Sequence, residues 1–135
     1  MTALLVLALL GADPDPTPAF EADLSKKKDT FEAKSEKGAA VWTIGSGTGI
    51  GRAAVRLAKG VAPKRIVIRF PGLRNLEEFK IEAGKSSLAL KLGEGVKDGK
   101  VSAVAGKIEG GVEVVIDHKD PPKEWKLSWI NEFRR

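Results

Sequence analysis

A run of glycines between residues 45 and 51 is the stretch of this sequence that most resembles a chemical site. Gly45, Gly49 and Gly51 follow a short apolar segment and match the spacing G-x-x-x-G-x-G. Glycines at this spacing let a backbone turn sharply and approach a pyrophosphate at the N-terminus of a helix. The run therefore indicates a candidate dinucleotide-binding turn, with residues 52–59 as the helix that would follow it.

Features around the run favour a turn between two strands instead. Short-chain dehydrogenases normally carry a threonine before the first glycine, where this chain has Ile44, and their catalytic tyrosine cannot exist in a chain without tyrosine. Residues 52–58 alternate in polarity as a strand does, and a single glycine fingerprint is a weak signal. We therefore expect no cofactor and attribute the glycines to positive φ angles. NAD(P) binding by an oxidoreductase-like protein is the least favoured alternative.

His118, the single histidine of the chain, lies in an aspartate-rich segment that could hold a ligand. Asp117, His118 and Asp120 could bind a cation or take part in acid–base chemistry, whereas a polar turn closed by Pro121 and Pro122 explains the same residues without a site. The absence of cysteine excludes disulfides, thiol nucleophiles and zinc–thiolate sites. We predict no catalytic residues and no metal site, and keep Asp117 and His118 as ligand-binding candidates.

Three tryptophans could provide a platform for stacking on sugar rings. Trp125 and Trp129 share a face with Leu127, a pattern that is typical of a core strand. Trp42 and Trp125 complete the ligand-binding candidates, and a carbohydrate-binding module is the alternative function. The basic residues are spread along the chain with no aromatic-plus-basic motif, so specific nucleic-acid binding is not expected.

The elements that must position these residues are strands, because polarity alternates with a period of two from Phe31 onward. Glycine, proline and aspartate bound each run, and Asp98-Gly99 predicts a hairpin. The chain is thus predicted to be all-β, a single antiparallel β-sandwich or jelly-roll-like domain of seven to nine strands over residues 30–135. Residues 73–81 fit either a helix or a strand. The predicted core comprises Phe31, Trp42, Ile44, Val55, Leu57, Ile66, Ile68, Phe70, Phe79, Ile81, Leu88, Leu90, Val112, Val114, Ile116, Leu127 and Trp129.

The N-terminal residues predict export. Residues 1–12 contain a continuous apolar segment followed by small residues, as in a signal peptide, and this segment is too short to span a membrane. Residues 13–29, with alternating prolines and then charges, are expected to form a disordered linker. We therefore predict a periplasmic or extracellular protein without a membrane span. Its net charge of +5 favours anionic partners such as polysaccharide or anionic cell-surface material.

The order of several short motifs resembles small uncharacterised exported proteins of planctomycete-type bacteria. The likeness extends over residues 31–134 and rests on five segments: 46–51 with its G-I-G, 62–64, 66–70, 73–81 and the closing 129–134. Asn131 stands where those proteins have an acidic residue, and Phe133 where they have tyrosine in a W-I-D-F-Y-R-like motif. The resemblance implies export and an all-β domain, and it implies no activity. The sequence thus predicts an exported, non-catalytic β-sandwich module with a structural or binding role.

Overall fold

Alternating apolar and polar side chains produce eleven strands in the part of the chain that the computed structural model describes, residues 20–36, 39–46, 50–57 and 63–130. The strands are β1 (Phe20–Leu24), β2 (Thr30–Glu36), β3 (Ala39–Gly45), β4 (Ile50–Leu57), β5 (Arg65–Pro71), β6 (Glu78–Ala83), β7 (Ser86–Leu90), β8 (Gly95–Asp98), β9 (Val101–Ile108), β10 (Gly111–His118) and β11 (Glu124–Ile130). No helix long and apolar enough to cross a membrane occurs among these residues.

The strands form two sheets that bury one core between them. Sheet A has the order β1-β4-β11-β6-β7, and sheet B has the order β2-β3-β5-β10-β9-β8. All neighbouring strands are antiparallel except β3 and β5, which are parallel because β4, between them in sequence, belongs to the other sheet. The prediction of an all-β sandwich is confirmed. The expectations of a wholly antiparallel pairing and of at most nine strands are corrected.

The sandwich begins earlier than the sequence suggested. Strand β1 pairs with β4 from Phe20↔Leu57 to Leu24↔Ala53, inside the stretch predicted to be a disordered linker. Ala22 and Leu24 pack against the core, while Glu21 and Asp23 face solvent. The predicted boundary at residue 30 is therefore wrong for residues 20–29. The predicted signal segment and residues 13–19 lie outside the described residues.

The inward faces of the two sheets supply the core, and they contain the residues that alternation singled out. Every predicted core residue is buried except Phe31, which is half-buried at the edge of the core. Leu73 and Leu76 are also buried, although they lie in the irregular connection between β5 and β6. Their helix-like spacing thus reflects two anchors in a loop that closes one end of the sandwich, and the strand begins only at Glu78.

Aromatic rings join the sheets across the core in two groups. On one side Trp42 of sheet B meets Trp125 of sheet A edge to face, with ring centroids 6.1 Å apart. On the other, Phe70 of sheet B contacts Trp129 at 5.3 Å and Phe79 at 5.7 Å, both from sheet A. The Phe70–Trp129 pair is tilted and the other two pairs are edge-to-face, and such ring contacts add to the free energy gained by burying the rings. Strand β11 thus sends a tryptophan across the core near each of its ends.

The glycine run carries the chain from sheet B to sheet A. Residues 50–57 after it form a strand, so the helix that the dinucleotide-binding interpretation places over residues 52–59 is wrong for residues 52–57. Gly51 pairs with Trp129, and a Cβ on Gly51 would lie 2.7 Å from Cζ2 of that indole and 2.9 Å from Oδ2 of Asp29. Gly51 is therefore required by close packing and not by a positive φ angle; residues 47–49 lie outside the described part.

Positive φ angles occur instead at glycines in other turns. Gly99, with a φ of 63°, follows Asp98 in the β8–β9 hairpin, which confirms the hairpin predicted there. Gly110, with a φ of 83°, similarly makes the turn from β9 to β10. The left-handed backbone region favours glycine because it has no Cβ.

Replacing Gly51 by alanine should destabilise the protein by about 1–3 kcal/mol, because the added methyl group overpacks the indole of Trp129. Gly106→Ala is the matched control: Gly106 also lies in a strand, and a Cβ there meets nothing within 4 Å. The control should stay within about 0.5 kcal/mol of the parent protein. Urea denaturation followed by tryptophan fluorescence measures both, and equal effects of the two variants would contradict the packing argument.

Candidate anion-binding site

Four lysines line one open cleft at an end of the sandwich. This end, where β5 and β9 begin and β8 and β10 finish, is here called the basic end. The cleft encloses about 290 Å³, and its lysines are Lys64, Lys97, Lys100 and Lys119. All four side chains are exposed. We refer to it as the lysine cleft.

The antiparallel pairing of sheet B explains why residues far apart in sequence meet there. Lys64 precedes β5 and Lys119 follows β10, and these strands are paired neighbours. The backbone N–H of His118 donates a hydrogen bond to the carbonyl of Lys64 at 2.8 Å, and that of Lys119 donates to the carbonyl of Lys100 at 3.0 Å. The backbone that carries the lysines is therefore fixed by extensions of the strand ladder.

The acidic side chains around the lysine cleft are already engaged. Asp117 accepts two hydrogen bonds from Arg65, at 2.7 Å from Nε and 3.0 Å from Nη2. Asp98 accepts a hydrogen bond from the backbone N–H of Ser87 at 3.1 Å. Asp120 pairs with Lys100 at 3.7 Å, although both side chains are well exposed and such a pair is weak. The cleft is therefore left with an excess of positive charge.

Three of the lysines have no carboxylate partner in the part of the chain that the structure describes. Lys64, Lys97 and Lys119 form no ion pair with any of the described residues. Exposed ammonium groups on long stems can turn toward an incoming ligand without first breaking an internal contact. The arrangement can therefore attract and hold negative charge.

A second, adjoining cleft of about 430 Å³ extends the basic end toward sheet A. Lys100 and His118 line both clefts, and Lys85, in the turn between β6 and β7, contributes a further positive charge. Pro121 and Pro122 form its apolar side. The two clefts together make an open, positively charged surface that crosses the end of the sandwich.

His118 forms the floor between the two clefts and is only 6% exposed. Its Nδ1 accepts a hydrogen bond from the backbone N–H of Asp120 at 3.0 Å, so the proton of the neutral ring lies on Nε2. Burial is the main cause that lowers the pKa of His118; Lys100 lowers it further, and Asp120 opposes the change. His118 is thus a neutral residue that orders the turn carrying Lys119 and Asp120.

The structure brings three of the four ligand-binding candidates together, but inside the core. Trp42 is 0% exposed and Trp125 is 1% exposed, and the ring of His118 contacts Trp125 edge to face at 5.7 Å. The indole N–H of Trp125 donates to the carbonyl of Pro122 at 3.1 Å. Asp117 lies on the opposite, outward face, because side chains alternate along β10. The proposed set is therefore corrected: it does not form one ligand-binding surface.

Neither tryptophan stacking nor a metal centre is supported by the geometry. All three tryptophans are buried, so none offers a ring face to a sugar. Trp129 donates its indole N–H to Oγ of Ser46 at 3.1 Å, which gives that serine a structural contact in the glycine run. Among the described residues, no group of three histidine, aspartate or glutamate side chains could hold a metal ion.

Sequence reasoning missed the lysine cleft because its lysines are dispersed along the chain. The available signal was positional, since Lys64, Lys100 and Lys119 each flank a strand at the end where paired strands meet. Comparisons with protein families, with curated proteins and with solved structures give no match. The site therefore has to be interpreted from its own chemistry.

His118 should make stability depend on pH in one direction. Its pKa in the folded protein lies below the ordinary value of 6.5, so at mildly acidic pH the unfolded chain binds a proton that the folded chain does not. This contribution is complete above pH 6.5 and is lost as the pH falls below that value.

We therefore expect the parent protein to lose stability between about pH 7 and about pH 5 relative to the variant His118→Asn, which does not titrate in this range. The asparagine Oδ1 can replace Nδ1 as the acceptor for Asp120, so the turn is retained in the control. Melting temperatures of both proteins across this range provide the measurement. Parallel pH profiles would show that His118 is not protonated on unfolding.

Proposed function

We propose that this protein is an exported, non-catalytic binding module that holds anionic polymers, such as acidic polysaccharide or other anionic cell-surface material, at its basic end. The observation that carries this proposal is the lysine cleft, in which four lysines converge; Asp117 and Asp98 are engaged by other groups, and only Lys100 has an aspartate partner, Asp120, in a weak exposed pair. Charged clefts of one sign raise the local concentration of oppositely charged ligands.

The shape of the cleft favours a polymer over a small, enclosed ligand. The site is open, its lysines are exposed, and its buried aromatic rings provide no stacking platform. Lysine acts as a point charge, whereas arginine forms the planar fork that recognises a single carboxylate or phosphate in fixed geometry. The nearby guanidinium of Arg65 is held by Asp117. Recognition by charge density along a chain suits these properties.

The same residues support a non-catalytic role. The ring of His118 is buried, its Nδ1 is occupied by a backbone N–H, and its pKa is lowered, so it is poorly suited to activate a nucleophile. The hydroxyl oxygen of Ser46 accepts a hydrogen bond from the indole N–H of Trp129, so this serine in the glycine run has a structural contact. Export is proposed from the apolar residues 1–12, and the planctomycete-type resemblance supports it. Export also agrees with the lack of cysteine, since nothing in the chain depends on a reduced thiol.

Binding to the full chain can be tested with polyphosphate, heparin and alginate, which carry phosphate, sulfate and carboxylate groups. The double variant Lys64→Ala/Lys119→Ala removes two cleft charges, and Lys107→Ala/Lys126→Ala is the control with the same net charge. Lys107 and Lys126 are exposed and do not line the cleft. We expect the cleft variant to bind about tenfold more weakly, and the control to change by less than about twofold.

The affinity should also fall steeply with salt. A ligand whose charges are neutralised by four lysines should give a slope of about −3 in a plot of log affinity against log salt concentration. Isothermal titration calorimetry over a series of salt concentrations measures this slope. Equal loss of affinity in both double variants would assign binding to net charge alone, and absence of binding to all three polymers would overturn the proposal.

A further inference from the structure

The outward face of sheet B carries a row of four valines across its middle strands: Val41 is buried at 1% exposure, Val67 and Val115 are half-buried, and Val104 is exposed. Val41, Val67, Val115 and Val104 lie directly opposite one another in the successive strands β3, β5, β10 and β9. Gly95 of β8 ends the row opposite Val104. We call these four residues the valine row.

One end of this face leaves apolar surface open to solvent. Val104 is 57% exposed, and Ile108 lies on the same face of β9 with only Gly106 between them on that face. Val104 and Ile108 are two of the three exposed large apolar residues in the part of the chain that the structure describes. A contiguous apolar surface on an outward sheet face is a common sign of an interaction site.

The charges beside the valine row have opposite signs on the two central strands, with arginines on β5 and carboxylates on β10. Strand β5 places an arginine two residues before and two residues after Val67, at Arg65 and Arg69. Strand β10 places Asp117 and Glu113 at the matching positions on either side of Val115. Within one chain these charges pair across the strands, Arg65 with Asp117 at 2.7 Å and Arg69 with Glu113 at 3.0 Å.

This pattern is complementary to itself under a two-fold rotation. A two-fold axis can lie in the plane of contact, parallel to the strands and midway between β5 and β10. Rotation about this axis places β5 of one copy over β10 of the other. Residues that are paired within one chain then lie at the same position along the strands in the two copies. Val67 then meets Val115 of the partner subunit, and Arg69 meets Glu113 of the partner subunit. An interface of two identical patches requires this kind of self-complementarity.

We propose that a second copy of this chain docks on the outward face of sheet B and forms a two-fold dimer about this axis. The dimer covers the exposed Val104 and converts each Arg–carboxylate pair into a network of four charges. A polyelectrolyte fits the face poorly because the arginines and carboxylates alternate from strand to strand with no excess of either sign. The interface shares Asp117 with the rim of the lysine cleft, but its other residues lie outside the cleft, and the inference does not depend on the proposed function.

Pairing through a sheet edge is a weaker alternative for self-association. The edge strands β7 and β8 lie side by side at one margin of the sandwich, where the carboxylate of Asp98 accepts the N–H of Ser87. A side chain that occupies an edge N–H in this way hinders addition of a further strand.

Exchange of the charges provides a direct test. In the variant Arg65→Glu/Arg69→Glu the outward faces of β5 and β10 are both acidic, and in Glu113→Arg/Asp117→Arg they are both basic. Neither variant should therefore dimerise with itself. When the two variants are mixed, the acidic β5 of the glutamate variant faces the basic β10 of the arginine variant. The basic β5 of the arginine variant likewise faces the acidic β10 of the glutamate variant. We expect the wild type and the equimolar mixture to dimerise in sedimentation equilibrium, and each variant alone to be a monomer.

A single substitution keeps the test independent of the charge exchanges, should either of those variants fold poorly. Val104→Glu places a charge at the exposed end of the row, where folding does not require burial of the side chain. It should weaken the dimer at least about tenfold, while circular dichroism remains that of the wild type. A wild type that stays monomeric at high protein concentration overturns the proposal. So does a dimer that persists unchanged in Val104→Glu and in both charge variants.

Discussion

The contact of β11 with the opposite sheet is the interaction on which the rest of the sandwich depends. Trp125 and Trp129 project from this one strand and meet Trp42 and Phe70 of sheet B. Because Trp129 occupies the space above the neighbouring strand, position 51 has no room for a side chain. The glycine at position 51 is therefore a consequence of how the indole packs, and Ser46, shortly before it in the chain, is the acceptor for the indole N–H.

The core and the basic end are physically continuous through His118. One edge of its ring contacts Trp125 in the core, and its Nδ1 holds the turn in which Lys119 and Asp120 lie. The position of the cationic groups is thus set by core packing, although the groups themselves are in solvent.

In the dimer proposed for sheet B the two-fold axis runs along the strands, so both lysine clefts point in the same direction. Two sites on one side can engage one polymer chain with an effective concentration that neither has alone.

Sequence alternation predicted the strands well because it records which side chains face the core. Val112, Val114 and Ile116, for example, are all buried, and the polar residues between them face outward. Strand β1 was missed because its inward residues, Ala22 and Leu24, are few and lie among charges after a proline-rich stretch. Pairing partners could not be derived, since β3 and β5 become neighbours only because β4 leaves the sheet. The lysine cleft depends on the pairing of β5 with β10 and of β8 with β9, so the positions of its lysines beside strands become informative only once the strand partners are known.

The place of β11 in sheet A has a consequence for the order in which the chain acquires its fold. Although it is the final strand in sequence among those described, it lies in the middle of the sheet, between β4 and β6. Until Glu124–Ile130 is available, β4 and β6 lack their shared neighbour and the core lacks two indoles. Contacts between such distant parts of a chain form slowly, since the entropy of closing a long loop is lost first. A ribosome must therefore release almost the whole sandwich sequence before sheet A can close over the core.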